Sequence, residues 1–268
     1  MVQKLGLALS LPTIKNSPFS PKDISDLYHW YKFQTNITSD EDASGGAISP
    51  VHSTDAGTMV KTDKVNKWGD SLTSAVATQT TSSDKPTWDV WSPSPVTEKP
   101  NILFEGVEWL DIDTDISILA NQDFSIMAHV VFTDLTARAI FGANANNFFR
   151  INNSSGFRCK IGGAGNQNFA EASDEIEIRK DFYVTLQRSD GAVGNLACYV
   201  HCEGVYEDKT WGTTGNEDPD AFTINNIGAG ADDTNEFEGV IKNILVYKGT
   251  VLTALQRKQN YVYLQSLL

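Results

Sequence analysis

Phe237-Glu238-Gly239-Val240-Ile241-Lys242-Asn243-Ile244-Leu245-Val246-Tyr247 has the pattern of one long, mostly apolar β-strand. Apolar positions recur at every second residue through Phe237, Gly239 and Ile241, but beyond Asn243 the contrast moves to Ile244 and Val246, one residue out of register. A β-strand keeps its faces at a period of two, so the pattern predicts a bulge near Lys242 and Asn243. Gly239 inside the strand marks a bend or the close approach of another backbone. The Gly-rich turn Ile227-Gly228-Ala229-Gly230 leads in, followed by a polar run from Asp232 to Glu236. Lys248-Gly249-Thr250 leads out as a turn, and Thr253-Ala254-Leu255-Gln256 matches a capping box, which predicts a closing helix. Leu252, Leu255, Val262 and Leu264, with Tyr261 and Tyr263, give that helix a broad apolar face for packing.

Working outward, short apolar segments bounded by Gly, Asn or Asp follow one another from Asn101, as in an antiparallel sandwich. They predict strands at 102–105, 109–112, 124–132, 139–141, 148–152, 157–161, 175–178, 182–188, 196–202 and 221–227. Asp190-Gly191 to Gly194-Asn195 reads as the turn of a hairpin. Nearer the start, Ser20-Pro21-Lys22-Asp23 carries a capping Ser, a first-turn Pro and an early Asp, and predicts a short helix within 20–30. Residues 40–60 are polar and without period, and read as a long surface loop. Trp68 reads as a core ring, whereas Trp88 and Trp91, among Pro86, Pro93 and Pro95, read as rings able to stack on sugars or on a neighbouring subunit. Leu5, Leu7, Leu9 and Leu11 alternate with other residues in an N-terminal arm over 1–19, suited to docking on another sheet edge or on its own domain.

The 268 residues allow one sandwich domain over 20–268 with a sizeable core. With 40% hydrophobic and 21% charged residues the chain is globular rather than disordered. Its net charge of -13, with no basic run, speaks against nucleic acid as a partner. No apolar stretch approaches the ~20 residues of a membrane-crossing helix, so no membrane insertion is expected. The opening Met1 to Pro12 is broken by Gly6 and lacks a small-x-small cleavage pattern, and is read as an arm rather than a signal peptide. Cys159, Cys198 and Cys202 lack the spacing of zinc or redox motifs and read as small buried hydrophobes, with His201 on the opposite strand face.

The order Phe237, Gly239, Ile241, two polar residues, aliphatics and Tyr247, followed by a turn and a short helix, resembles the last strand of concanavalin-A-like jelly rolls of the laminin-G-like type. The resemblance extends to Val65, Trp68, Asp70, Ser71 and Gln79, to Lys99-Pro100, to Phe104-Glu105-Gly106 and to Trp109-Leu110. In particular it is similar to versions of that domain in structural proteins of tailed-bacteriophage particles. The resemblance implies an all-β, two-sheet antiparallel jelly-roll sandwich. It implies a non-enzymatic virion protein, a head decoration or fibre component, with other virion proteins and host-surface polysaccharide as partners and a homo-oligomeric, trimeric state. Trp88, Trp91 and Trp211 are the candidate glycan platforms, and Leu5, Leu7, Leu9 and Leu11 the candidate docking residues. No cofactor is required. A Ca²⁺ site of the concanavalin-like kind would fall at Asp232, Asp233 and Asn235, beside Glu236.

The same residues offer enzyme chemistry only a partial set of groups. Glu175 and Glu177 share a strand face, as the carboxylates of a glycan-cleaving enzyme must, but the laminarinase-like glucanases that share this resemblance need a further carboxylate where Lys180 stands. Asp111, Asp113 and Asp115 alternate, yet Ile116 and Gln122 stand where an EF-hand loop needs Gly and Glu. Nucleophile-elbow, phosphate-loop and HExxH motifs are missing, and Gly162-Gly163-Ala164-Gly165 does not open a helix.

Overall fold

The computed structural model describes residues 19–32, 34–42, 44–52, 62–89, 101–163, 165–171, 176–192, 194–202, 206–217, 219–230 and 235–268. In chain order the strands are β1 (Leu27–Tyr31), β2 (Ile37–Glu41), β3 (Ala47–His52), β4 (Asp63–Gly69), β5 (Val76–Thr78) and β6 (Thr87–Asp89). Then come β7 (Asn101–Glu105), β8 (Leu110–Ile118), β9 (Phe124–Phe132), β10 (Arg138–Asn144), β11 (Asn147–Asn153) and β12 (Gly156–Lys160). The last are β13 (Gln167–Ala170), β14 (Asp181–Ser189), β15 (Asn195–Cys202), β16 (Tyr206–Glu217), β17 (Phe222–Ile227) and β18 (Glu238–Lys248), closed by helix α1 (Ala254–Gln265).

Among the described residues every pairing is antiparallel, and the strands form the two-layer sandwich expected. One layer runs β18–β9–β14–β15–β16, with β7 and β1 on the two halves of the outer edge of β18. The other runs β5–β8–β17–β10–β11–β12–β13. The early strands β2, β3, β4 and β6 join them through β4–β5 and β6–β7. The main core lies between the layers and holds Trp68, Phe104, Phe132, Phe149, Phe157, Phe182 and Trp211.

β9 is buried along its whole length because both its faces are covered. Phe124, Ile126, Ala128, Val130 and Phe132 face the sandwich core. On the other face Met127 joins Trp30, Tyr183, Leu245, Tyr247, Leu252, Tyr261 and Leu264 in a second core beneath α1. The helix begins as its sequence specifies: Thr253 Oγ1 accepts from the Gln256 amide and Gln256 Oε1 accepts from the Thr253 amide. Its inward residues are Arg257, Asn260, Tyr261 and Leu264. Leu255 and Val262 point outward, 66% and 52% exposed, so the broad apolar face read from the sequence is divided between two sides of the helix.

The decisive strand behaves as its pattern requires. Between Ile241 and Asn243 the register of β18 on β9 slips by one, leaving Lys242 as the extra residue. Phe237 and Ile241 before the bulge, and Ile244 and Val246 after it, therefore all reach the sandwich core. Gly239 has φ 138°, and a Cβ there would lie 2.0 Å from the Val131 carbonyl oxygen of the paired strand.

Two polar clusters brace the strands, one tying β1 to the turn after β4 and the other joining β9, β14 and β18. Asp70 accepts from the Trp30 and Leu72 amides, Thr73 Oγ1 and His29 Nδ1. Burial alone would raise its carboxyl, but these donors outweigh it and hold the pKa at about 2. The stabilisation is thus complete above the ordinary carboxylate range and is lost as pH falls toward that value. At the bulge, burial depresses His129 to about 4, so its ring is neutral at neutral pH. Its Nε2 lies 2.7 Å from Asp181, which also takes Lys242 Nζ at 2.6 Å, and its Nδ1 lies 3.4 Å from the Asn243 amide.

Several local expectations are corrected. Ser20 does cap with Asp23, but the turn is a single 3-10 unit, Pro21–Asp23, ended by extended Ile24, and Asp26 takes a left-handed φ of 65° before β1. Part of the expected loop at 40–60 is the hairpin of β2 and β3. Residues 176–178 are not a strand: Ile176 is buried while Glu177 and Ile178 are exposed. The three cysteines are buried, and His201 stacks on Tyr261 under the helix, 3.6 Å between ring centres, as the alternation required. Among the described residues no helix is long and apolar enough to cross a membrane.

Replacing Gly239 by Ala should cost at least about 2 kcal/mol in urea unfolding, from backbone strain and the collision with Val131. Gly165→Ala, with open space around it, should stay within about 0.5 kcal/mol.

Candidate functional site

The hairpin of β11 and β12 turns Phe149, Ile151, Phe157 and Cys159 into the core and leaves Phe148, Arg150, Arg158 and Lys160 on its outer side. Register places Arg150 directly opposite Arg158, and Phe148 directly opposite Lys160. Side chains opposite one another stand with Cβ atoms ~5 Å apart and diagonal neighbours ~7–8 Å apart, so three cations crowd one small surface. Like charges so placed repel and weaken the sheet, an arrangement that packing alone does not favour.

A concavity of about 300 Å³ opens beside them, lined by Phe148, Arg150, Lys160, Asn166, Gly230 and Asn235 among others. Its walls are fixed by close backbone approach. At Gly142, a Cβ would meet the Ala229 carbonyl oxygen at 3.1 Å and Gly230 Cα at 3.1 Å, so the Gly-rich turn can lie flat against β10. Asn235 takes a left-handed φ of 59°, and its carbonyl oxygen accepts from the Ala139 amide at 2.7 Å. Asn147 Oδ1 accepts from the Gly162 and Thr223 amides, and Asp220 takes the Gly163 amide, tying down the turn that presents Asn166.

Arg150 is the unusual member. Its guanidinium lies over the Phe148 ring, 5.0 Å from the centroid, and its Nε is buried without a hydrogen-bond acceptor. Burial, and then the charge of Arg158, push its pKa below the ordinary value. Arg158 itself donates to Asn168 Oδ1 at 2.7 Å. Among the described residues neither Arg150 nor Lys160 has a carboxylate partner. In a chain of net charge -13 such a patch is preset for an anionic or strongly accepting ligand.

The residues singled out from sequence fare differently. Trp88 and Trp211 are 4% and 0% exposed and belong to the core, Trp211 edge-on to Phe157, so neither offers a face to a sugar. Trp91, Asp232, Asp233 and Leu5, Leu7, Leu9 and Leu11 lie outside the described residues. Asn235 is in place, but as a wall of the basic concavity. Among the described residues no three His, Cys, Asp or Glu side chains gather for a metal. Asp111, Asp113 and Asp115 are exposed on β8, where the register on β17 breaks between the pairs Ile224–Ile116 and Asn226–Asp111. Glu175 lies outside the described residues, and exposed Glu177 pairs with Lys180 at 2.7 Å. Arg150, Arg158 and Lys160 were missed by the sequence reading. Their signal was present in the alternation of Phe148 with Arg150 and of Arg158 with Lys160 on two strands that were both predicted.

No family model and no curated protein matches the sequence. Among solved structures, Trypanosoma rangeli sialidase in complex with 2,3-difluorosialic acid aligns at 13% identity and TM-score 0.46, covering 91% of this chain and 33% of that one. This chain therefore spans about one third of that sialidase. Domain 4 of an extracellular GH43 arabinanase from Geobacillus stearothermophilus, in complex with arabinotriose, aligns at 14% identity and TM-score 0.46, covering 87% and 96%. The CBM40 of Ruminococcus gnavus IT-sialidase, bound to α2,3-sialyllactose, aligns at 15% identity and TM-score 0.41, covering 61% and 97%. Similarity at this level transfers no residue role and no ligand to this chain.

If Arg150 is retained for binding, its removal should not harm the fold. Arg150→Met is expected to leave unfolding free energy unchanged or to raise it by about 1 kcal/mol, since a desolvated, unpartnered charge disappears. Denaturant titration of both proteins checks this, and a loss above about 1 kcal/mol would mark Arg150 as a structural residue.

Proposed function

We propose that this chain is a non-enzymatic binding module that holds an acidic saccharide in the concavity of Phe148, Arg150, Lys160, Asn166 and Asn235. The observation that carries this reading is the buried Arg150 Nε without an acceptor, at the edge of a polar hollow with a second unpaired cation. A carboxylate or sulfate would take the two cations. The Asn166 side-chain amide offers both a donor and an acceptor to hydroxyls, and the hollow is at the small end of the size range for such sites. The absence of hydrolysis belongs to the same reading and is supported by Lys180 occupying Glu177.

Titration calorimetry with carboxylated or sulfated oligosaccharides and their neutral counterparts tests the site. Binding of an acidic member should weaken at least tenfold in Arg150→Met and in Lys160→Met, and the neutral counterpart should bind at least tenfold more weakly. Equal binding by wild type and Arg150→Met, or no binding across the acidic panel, would remove the reading.

The setting we propose rests on the sequence resemblance of Phe237 to Tyr247 and its upstream motifs. In it, residues 20–268 form a domain displayed as a homo-oligomer on the exterior of a tailed-phage particle, in the head or a fibre, and residues 1–19 are its docking arm. An adhesin outside a virion is the alternative with the same site. Immunogold labelling of intact particles with antibody to this chain should decorate their surface, and unlabelled particles would favour the adhesin.

A further inference from the structure

The outer side of α1 carries an apolar groove of about 430 Å³ between Phe19, Leu255, Val262 and Tyr263, with Lys258 and Gln259 at its rim. Leu255 and Val262 are more than half exposed, and large apolar side chains side by side on a helix surface usually have a partner. They do not serve the fold, because the helix is already anchored on its other side by Tyr261 and Leu264 in the second core.

The described chain starts at Phe19, which forms one wall of the groove, so the residues preceding it, 1–18, emerge at that place. Their sequence, MVQKLGLALSLPTIKNSP, holds four Leu and one Ile, with two Lys and no Asp or Glu. Leu5, Leu7, Leu9 and Leu11 recur at a period of two. In an extended backbone, three consecutive members of that series cover ~13 Å on one face. Leu255 and Val262, seven residues apart, are separated by ~10 Å along the helix axis, and the groove runs on to Ser266 at ~16 Å. From Phe19 back to Leu11 the eight intervening steps reach up to ~27 Å, longer than the whole groove. Tethering at Phe19 also gives the arm an effective concentration near the millimolar range.

We infer that the groove on α1 is the seat of this chain's own N-terminal arm, with leucines from the series Leu5 to Leu11 packed against Leu255 and Val262. The arm is then a latch on the closing helix of the same molecule. A second copy, or another protein, would have to displace it before using either the leucines or the groove.

Disulfide trapping in the full chain tests the inference. Four double variants pair Val262→Cys with Leu5→Cys, Leu7→Cys, Leu9→Cys or Leu11→Cys, and a control series pairs the same arm positions with Ser117→Cys on the other layer. The native cysteines are buried and do not compete. At least one Val262 pair should close within a single chain tenfold faster than its control under mild oxidation, and adding Leu255→Asp should return it to the control rate. Control rates for all four pairs would overturn the inference. So would disulfide-linked dimers as the main product, which would assign the groove to a second copy.

Discussion

One extra residue governs the architecture. Lys242 interrupts the pairing of β18 with β9, and the slip returns Ile244 and Val246 to the face already used by Phe237 and Ile241. Without it the second half of β18 would turn Asn243, Leu245 and Tyr247 into the sandwich, where Asn243 would be left unsatisfied. With it, those three residues face α1, where Leu245 and Tyr247 supply the second core. The bulge is also where the polar bracing is concentrated. Lys242 and His129 meet on Asp181, and Asn243 reaches both His129 and the Trp30 indole. A neutral His129 fits this chain: Nε2–H donates to Asp181, Nδ1 accepts from Asn243, and the Asn243 oxygen accepts from Trp30. A bulge that frees backbone groups is thus held by side chains whose own polar atoms are satisfied.

This feature was legible in the sequence because a period of two is a strict rule, and a phase change has few physical explanations. The capping box of α1 and the close approach at Gly239 were readable for the same reason, since each rests on local geometry. The first ninety residues resisted. There the strands are short, β5 and β6 only three residues each, and polar residues such as Thr38, Ser39, Asp63 and Thr87 are buried within them. Their burial depends on partners far away in sequence, as with the Ser39 hydroxyl on the Lys64 carbonyl, which no local pattern announces. Trp88 was misread for a related reason: prolines nearby suggested a loop, whereas the ring enters the core through a three-residue strand. The basic site was only half visible. Two alternating cationic strands could be seen, but the wall supplied by Gly230 and Asn235 comes from the far end of the chain.

The charge balance constrains what the basic patch can do. Beyond a Debye length, ~8 Å at physiological salt, charges are largely screened, so an anion at the patch meets chiefly Arg150, Arg158 and Lys160 rather than the chain's net charge of -13. The binding proposed for such a site would rest on the fit of one group into the hollow, in contrast to nucleic-acid binders, whose affinity rests on many phosphate contacts.

The basic hollow and the apolar groove of α1 lie on different layers. Arg150 and Lys160 stand on the outer side of the layer containing β11 and β12, while α1 covers the outer side of the layer containing β9 and β18. Between them lies a core of interlocked aromatic rings, from Phe104 and Phe237 through Phe132 and Phe157 to Phe149 and Trp211. Packing of this kind resists deformation, so occupation of one surface need not disturb the other. A contact on the helical side can therefore leave the basic hollow unchanged, while the bulge at Lys242 keeps both halves of β18 on the sandwich core.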